Sequence, residues 1–123
     1  MNVLVVDDVE LTRMMLVKGL KNIGITSIFE AEDGVDAMRI FKDKDIDVIF
    51  SDWKMPRMDG IELAKKVREM TDDCPVIMIT AENTKGSVID AIRAGVSDYL
   101  IKPFDPATLR EKLTKWTKVE AGN

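Results

Sequence analysis

Short apolar runs alternate with longer amphipathic stretches along this chain, and that alternation restricts its fold more than any other feature. Val3 to Val6, Ser27 to Glu30, Val48 to Ser51 and Val76 to Thr80 are rich in Val, Ile or Phe and lack helical periodicity. Tyr99 to Ile101 forms a shorter fifth run. Each has the length of a strand. The first, third and fourth are apolar at consecutive positions, as central parallel strands buried on both faces must be.

The stretches between the runs carry a helical period. Leu63, Val67 and Met70 repeat at that spacing, as do Val88, Ala91 and Ile92, then Leu109, Leu113 and Trp116. Leu11 through Ile23 reads as a helix. Asp33-Gly34 and Asp59-Gly60 precede helical stretches, and Asp105-Pro106 reads as an N-cap followed by proline at the first helical position. Gly24 and Gly95 stand where helices should stop. Strand then helix, repeated five times, predicts an α/β fold with right-handed crossovers and helices on both faces of a parallel sheet. The methionines at helical spacing, Met14, Met15, Met38, Met70 and Met78, are expected to fill the core.

The 123 residues are expected to make one domain, 1–123, with a frayed tail from Glu120 to Asn123. Hydrophobic residues make up 46% and charged residues 33%, the balance of a globular chain. A net charge of −4 argues against nucleic acid and anionic membrane as partners. Neither a secretory signal nor a membrane-length apolar run is present. Cys74 is the only cysteine, so no intrachain disulfide can form, and a reduced compartment is the simplest setting. Histidine is absent, which removes Ser-His-Asp and Cys-His catalysis and every His-ligated metal site. Acid–base and metal chemistry then falls chiefly to carboxylates, whose oxygens suit hard cations.

In open parallel α/β sheets, ligands bind beyond the carboxyl ends of the strands. Asp7 and Asp8 follow the first run, Asp52 the third, Thr80 and Ala81 the fourth, and Lys102 and Pro103 the fifth. With the first, third and fourth strands adjacent and the fifth beside the fourth, three carboxylates, a hydroxyl and an ammonium surround one cleft. Crowded carboxylates repel and raise one another's pKa values, and a divalent cation relieves this. An oxygen-only set with room for water and a phosphate oxygen points to Mg²⁺. A carboxylate can attack phosphorus, and Asp52, standing alone opposite the pair, is the expected acceptor. Lys102 would neutralise charge, and Thr80 would donate to a phosphoryl oxygen. Taken singly, each residue has a bland reading as a turn former, a helix-entry acid, a strand end or a surface lysine. Four independent strand ends supplying fitting groups is what changes the reading. A cis peptide at Lys102–Pro103 would aim Lys102 into the cleft.

These motifs resemble the receiver domain of bacterial two-component response regulators. The pattern is Val5 to Asp8, Ser51-Asp52 leading to Met55-Pro56 and Met58-Asp59-Gly60, then Thr80-Ala81, Ala94-Gly95 and Lys102-Pro103-Phe104. The likeness spans nearly the whole chain. It is greatest to stand-alone chemotaxis receivers, through Glu30 to Ala37, Ser51-Asp52-Trp53 and Thr108-Leu109 with Glu111-Lys112-Leu113.

The resemblance implies a flavodoxin-like sheet in the order 2-1-3-4-5 and no output domain. It implies that a histidine kinase phosphorylates Asp52. Asp8, Asp52 and the Lys54 backbone carbonyl would bind Mg²⁺ directly, and Asp7 would act through water. The Ala81 amide joins Thr80 and Lys102 around the phosphoryl group. Thr80 and Tyr99 would form the switch. Lys85, Ile101 and Lys112 are candidate contacts for an output partner such as a flagellar motor switch protein. A phosphatase is a further expected partner, and the protein would be a cytoplasmic monomer. Lys54 and Glu82 flank the path of the attacking water, and their pairing across the cleft would slow dephosphorylation.

Three rivals make different demands. An aspartate-nucleophile phosphatase needs a second carboxylate two residues after its nucleophile, where Lys54 stands. A flavin module would meet repulsion from Asp7 and Asp8 at its phosphate. A phosphorelay intermediate, or the isolated receiver of another two-component regulator, shares the chemistry and differs only in its output.

Overall fold

The computed structural model describes residues 1–81 and 84–117. Five strands, β1 (Asn2–Val6), β2 (Ser27–Ala31), β3 (Val48–Asp52), β4 (Val76–Thr80) and β5 (Asp98–Ile101), form one sheet in the order β2-β1-β3-β4-β5. Every neighbouring pair is parallel. The helices between and after them are α1 (Glu10–Asn22), α2 (Gly34–Asp43), α3 (Gly60–Met70), α4 (Lys85–Arg93) and α5 (Pro106–Trp116).

Alternate residues of each strand feed two cores. Leu4, Val6, Ile49, Val76 and Met78 pack with Ala37 and Met38 of α2, Leu63, Ala64 and Val67 of α3, and Ala91 of α4. Val3, Val5, Val48, Phe50, Ile77 and Ile79 pack with Leu16 and Leu20 of α1 and Leu109 and Leu113 of α5. Two helices thus cover one face and three the other, as crossovers of one hand require when the chain winds both ways from β1.

Helix ends follow local chemistry. Asp33, Asp59 and Asp105 accept from the amides of Asp36, Glu62 and Thr108 at the starts of α2, α3 and α5. Gly24 and Gly95 adopt φ of 104° and 106°. They let Ile25 and Val96 donate back to Leu20 and Ala91 while Gly24 and Gly95 donate to Lys21 and Ile92, the two hydrogen bonds that close a helix through a left-handed residue.

Met38 and Met78 are buried, but Met14, Met15 and Met70 are 56%, 59% and 52% exposed, which corrects their assignment to the core. Helical spacing marks a face without saying how wide the buried stripe is. On α1 that stripe is filled by Leu16 and Leu20, and Leu11 also lies outside it. Ile92 on α4 is exposed for the same reason. Cys74 is buried. The tail from Glu120 to Asn123 lies outside the described residues. Among those described, no helix is long and apolar enough to cross a membrane.

Candidate metal and phosphoacceptor site

Parallel register brings the acids together. Val6 of β1 pairs with Ser51 of β3, so Asp7, just past the end of β1, and Asp52, the last residue of β3, lie side by side. Carboxylate oxygens of Asp7, Asp8 and Asp52 lie within 4.8 Å of one another. Asp7 is buried, Asp8 exposed and Asp52 partly buried. The donors are all oxygen, the set that a hard divalent cation takes.

Asp7 is held from several directions. Its Oδ1 accepts the Val9 amide at 2.9 Å, and its Oδ2 accepts the Thr12 hydroxyl at 2.7 Å. Arg13 donates to its backbone carbonyl at 2.7 Å and also pairs with Glu30 at 3.1 Å. α1 has no side-chain N-cap, and the Asp7 carboxylate lies at its entry instead. Asp52 Oδ1 accepts the Trp53 amide at 2.8 Å, which leaves Oδ2 toward the cleft.

Lys102 joins the two strand ends. Its Nζ lies 3.3 Å from Asp7 Oδ2 and 3.3 Å from Asp52 Oδ2. Its amide donates to the Thr80 carbonyl at 2.9 Å, and the Lys102–Pro103 peptide is cis. Pro103, Phe104, Leu16 and Ile79 wall a cavity of about 310 Å³ beside it, so the lysine stem runs along apolar surface while its ammonium meets the acids. Burial pushes the Asp52 carboxyl above its ordinary value. Lys102 opposes that shift, and the Asp7 charge adds to it.

Asp52 pairs with Ile79 of β4 in the sheet, and Thr80 follows one residue later as the buried last residue of that strand. Ala81 comes next and is exposed. Tyr99 on β5 packs against the core that contains Met78 and Ala91, with its hydroxyl oxygen buried. Lys54 is exposed, and its Nζ rests 4.8 Å from the Trp53 ring centroid. Glu82 lies outside the described residues, so the expected pairing of Lys54 with Glu82 does too.

Lys85 opens α4 and Ile101 ends β5, both exposed. Lys112 is less accessible than its place on the surface of α5 suggested, because its Nζ is bound to Asp98 Oδ1 at 3.0 Å. Sequence reasoning missed Thr12, Arg13 and the Asp33–Arg57 ion pair. Thr12 lies five residues beyond Asp7, in the first turn of α1, a signal present but not distinctive, whereas Asp33 and Arg57 are 24 positions apart with no local pattern linking them.

A parallel sheet in this order, with three clustered carboxylates and a bridging lysine at its carboxyl edge, defines a class, and comparison with known proteins gives the same one. The chain belongs to the response regulator receiver domain family, whose pattern matches residues 3–114. A chemotaxis protein CheY homolog of Campylobacter jejuni is 45% identical over 116 residues, covering 92% of this chain and 89% of its own. Chemotaxis protein CheY-3 of Vibrio cholerae is 43% identical over 117 residues, covering 94% and 90%. Among solved structures, the Francisella response regulator 1452 receiver domain superposes with a TM-score of 0.88 at 32% identity, covering 95% of this chain and 96% of that one. Vibrio cholerae chemotaxis protein CheY4 gives 0.88 at 33%, covering 94% and 98%. The chain is a CheY-like receiver, a signalling switch of two-component systems in keeping with chemotaxis.

Proposed function

We propose that the protein accepts a phosphoryl group on Asp52 from the phosphohistidine of a histidine kinase, and so alters its affinity for an output protein. The observation that carries this reading is the single ammonium of Lys102, 3.3 Å from both Asp7 and Asp52 in a cluster of three carboxylates. In the transfer, Asp52 Oδ attacks phosphorus, the P–N bond to the donor imidazole breaks, and the ring nitrogen takes a proton. Lys102 neutralises charge on the phosphoryl oxygens, and Thr80 and the Ala81 amide donate to them. Hydrolysis returns the carboxylate when water attacks phosphorus and inorganic phosphate leaves.

Asp8, Asp52 and the Lys54 carbonyl would hold Mg²⁺, with Asp7 acting through water; the three carboxylates fit that ion by donor type. When bound, the ion supplies charge neutralisation at the transferring group. Lys54 and Glu82 are the residues proposed to slow hydrolysis, so Lys54→Asn should speed it.

The output follows from Thr80 and Tyr99. Their rearrangement toward the phosphorylated state changes the face formed by α4, β5 and α5, where Lys85 and Ile101 stand exposed. Chemotaxis relatives favour a flagellar switch protein as the target over a phosphorelay partner. The protein would act as a cytoplasmic monomer.

The test is labelling by acetyl phosphate with Mg²⁺, read by intact mass. The wild type should gain one phosphoryl group. Asp52→Asn and EDTA-treated protein should gain none. Equal labelling of Asp52→Asn would overturn the assignment. A pull-down with and without a beryllofluoride mimic then separates a flagellar switch protein from a histidine-phosphotransfer protein.

A further inference from the structure

The loop after Asp52 is fastened to α2 at a point the reaction chemistry does not require. Arg57 has φ 66°, and the Met58 amide donates across it to the Pro56 carbonyl at 2.8 Å. A three-residue turn around a left-handed, non-glycine residue is strained, and such conformations persist only where surrounding contacts hold them.

The contacts here are specific. Arg57 Nε and a terminal nitrogen each lie 2.7 Å from Asp33 Oδ2. The arginine side chain is 61% exposed while the Asp33 side chain is only 8% exposed, so an outer guanidinium reaches onto a buried carboxylate. The other oxygen, Oδ1, caps α2 by accepting the Asp36 amide at 2.8 Å. Beside it the Gly34 amide donates to the Met58 carbonyl at 2.9 Å, and a Cβ on Gly34 would lie 2.6 Å from that oxygen. At the loop's other end the Gly60 amide donates to the Trp53 carbonyl at 2.8 Å. Lys54 therefore sits in a loop anchored at Trp53 and again at Arg57 and Met58.

We infer that Arg57 and Asp33 are positioning residues for the cation site: their ion pair holds the strained turn that fixes where the Lys54 carbonyl stands relative to Asp52. This rests on the proposal that the Lys54 carbonyl serves a divalent ion. Residues that orient ligands without touching a metal typically shift its affinity by one to two orders of magnitude. Neither Arg57 nor Asp33 belongs to the cluster of Asp7, Asp8 and Asp52.

The experiment titrates MgCl₂ into full-length wild type, Asp33→Asn, Arg57→Lys and Arg57→Gly, read by tryptophan fluorescence, because Trp53 adjoins Asp52. Urea unfolding without magnesium runs in parallel. Asparagine still caps α2, so Asp33→Asn removes the charge and keeps the helix start. Glycine accepts the left-handed φ, so Arg57→Gly removes the ion pair without adding backbone strain. Asp33→Asn and Arg57→Gly should each weaken Mg²⁺ by about tenfold. Arg57→Lys, which keeps the charge and loses the fork, should fall between them and wild type. Wild-type affinity in both Asp33→Asn and Arg57→Gly overturns the inference, even if their urea midpoints move, since a purely structural brace would change stability alone. A wild type that does not respond to magnesium overturns the cation reading and this inference together.

Discussion

Trp116, the last residue of α5, donates its indole N–H to Asp98 Oδ2 at 2.6 Å, fastening that helix to the start of β5. The same carboxylate accepts Lys112 at 3.0 Å and the Tyr99 amide at 2.8 Å, with Lys115 3.8 Å away. Burial alone would raise the Asp98 pKa, but the bonds from Trp116, Tyr99 and Lys112 outweigh it and hold the carboxyl below its ordinary value. A lowered folded pKa means the stabilisation is fully present above the unfolded value of 3.8 and is lost as pH falls below it. Asp98→Asn should therefore cost about 1–3 kcal/mol at neutral pH. It should also flatten the decline of the urea midpoint below pH 4, which unfolding curves across pH 2.5–6 would measure.

Cys74 gives the opposite pH response. Burial pushes its thiol from 9.0 up to about 11. Below pH 9 both folded and unfolded chains keep the proton, so the thiol adds no pH dependence there. Between pH 9 and 11 the unfolded chain ionises first, and stability falls as pH rises. The loss approaches roughly 2–3 kcal/mol once both forms ionise, and Cys74→Ala should lack this component. Iodoacetamide at pH 8 should label the native protein slowly and accelerate sharply through the urea transition.

Two glycines should respond in opposite directions to alanine. A Cβ on Gly60 would lie 2.4 Å from the Asp52 carbonyl oxygen and 2.9 Å from the Met78 sulfur, and the backbone atom cannot step aside. Gly60→Ala should cost about 1–3 kcal/mol or more by overpacking. Gly86 lies in α4 with nothing within 4 Å of its notional Cβ, so Gly86→Ala should gain roughly 0.5–1 kcal/mol. Thermal melts of both variants check the pair.

Magnesium should raise the melting temperature, and EDTA should reverse the rise, because an ion that binds only the folded cluster shifts unfolding by mass action. The gain is about 2.7 kcal/mol at a hundred times the dissociation constant. Asp8→Asn removes one of three mutually repelling charges, so it should stabilise the metal-free chain while abolishing most of the magnesium response. A calorimetric scan of both proteins with and without the ion measures both effects.

The elements were legible because their signals are local. Consecutive apolar residues at Val48 to Phe50 and Val76 to Ile79 mark strands buried on two faces, and Asp59-Gly60 and Asp105-Pro106 mark helix starts. The site was legible because its residues stand at or just past the ends of strands, so strand order and register bring Asp7, Asp52 and Lys102 together. Arg57 was hidden because its partner Asp33 arrives through tertiary packing and its left-handed backbone leaves no mark on residue type. The engagement of Lys112, a candidate partner contact, was hidden in the same way, as Asp98 reaches it only across the β5–α5 contact. The methionines of α1 misled because an apolar stripe on a helix does not show where burial ends.

Lys102 hangs from β5, a four-residue strand at the rim of the sheet that is zipped to β4 alone, whereas the acids it balances spring from β1 and β3 in the interior. Rim strands detach before the middle of a sheet does. On warming, the domain should therefore lose its counter-charge first and its carboxylates last. Chemistry would then be extinguished at a lower temperature than the one that melts the whole chain, leaving an inert but still folded protein in between.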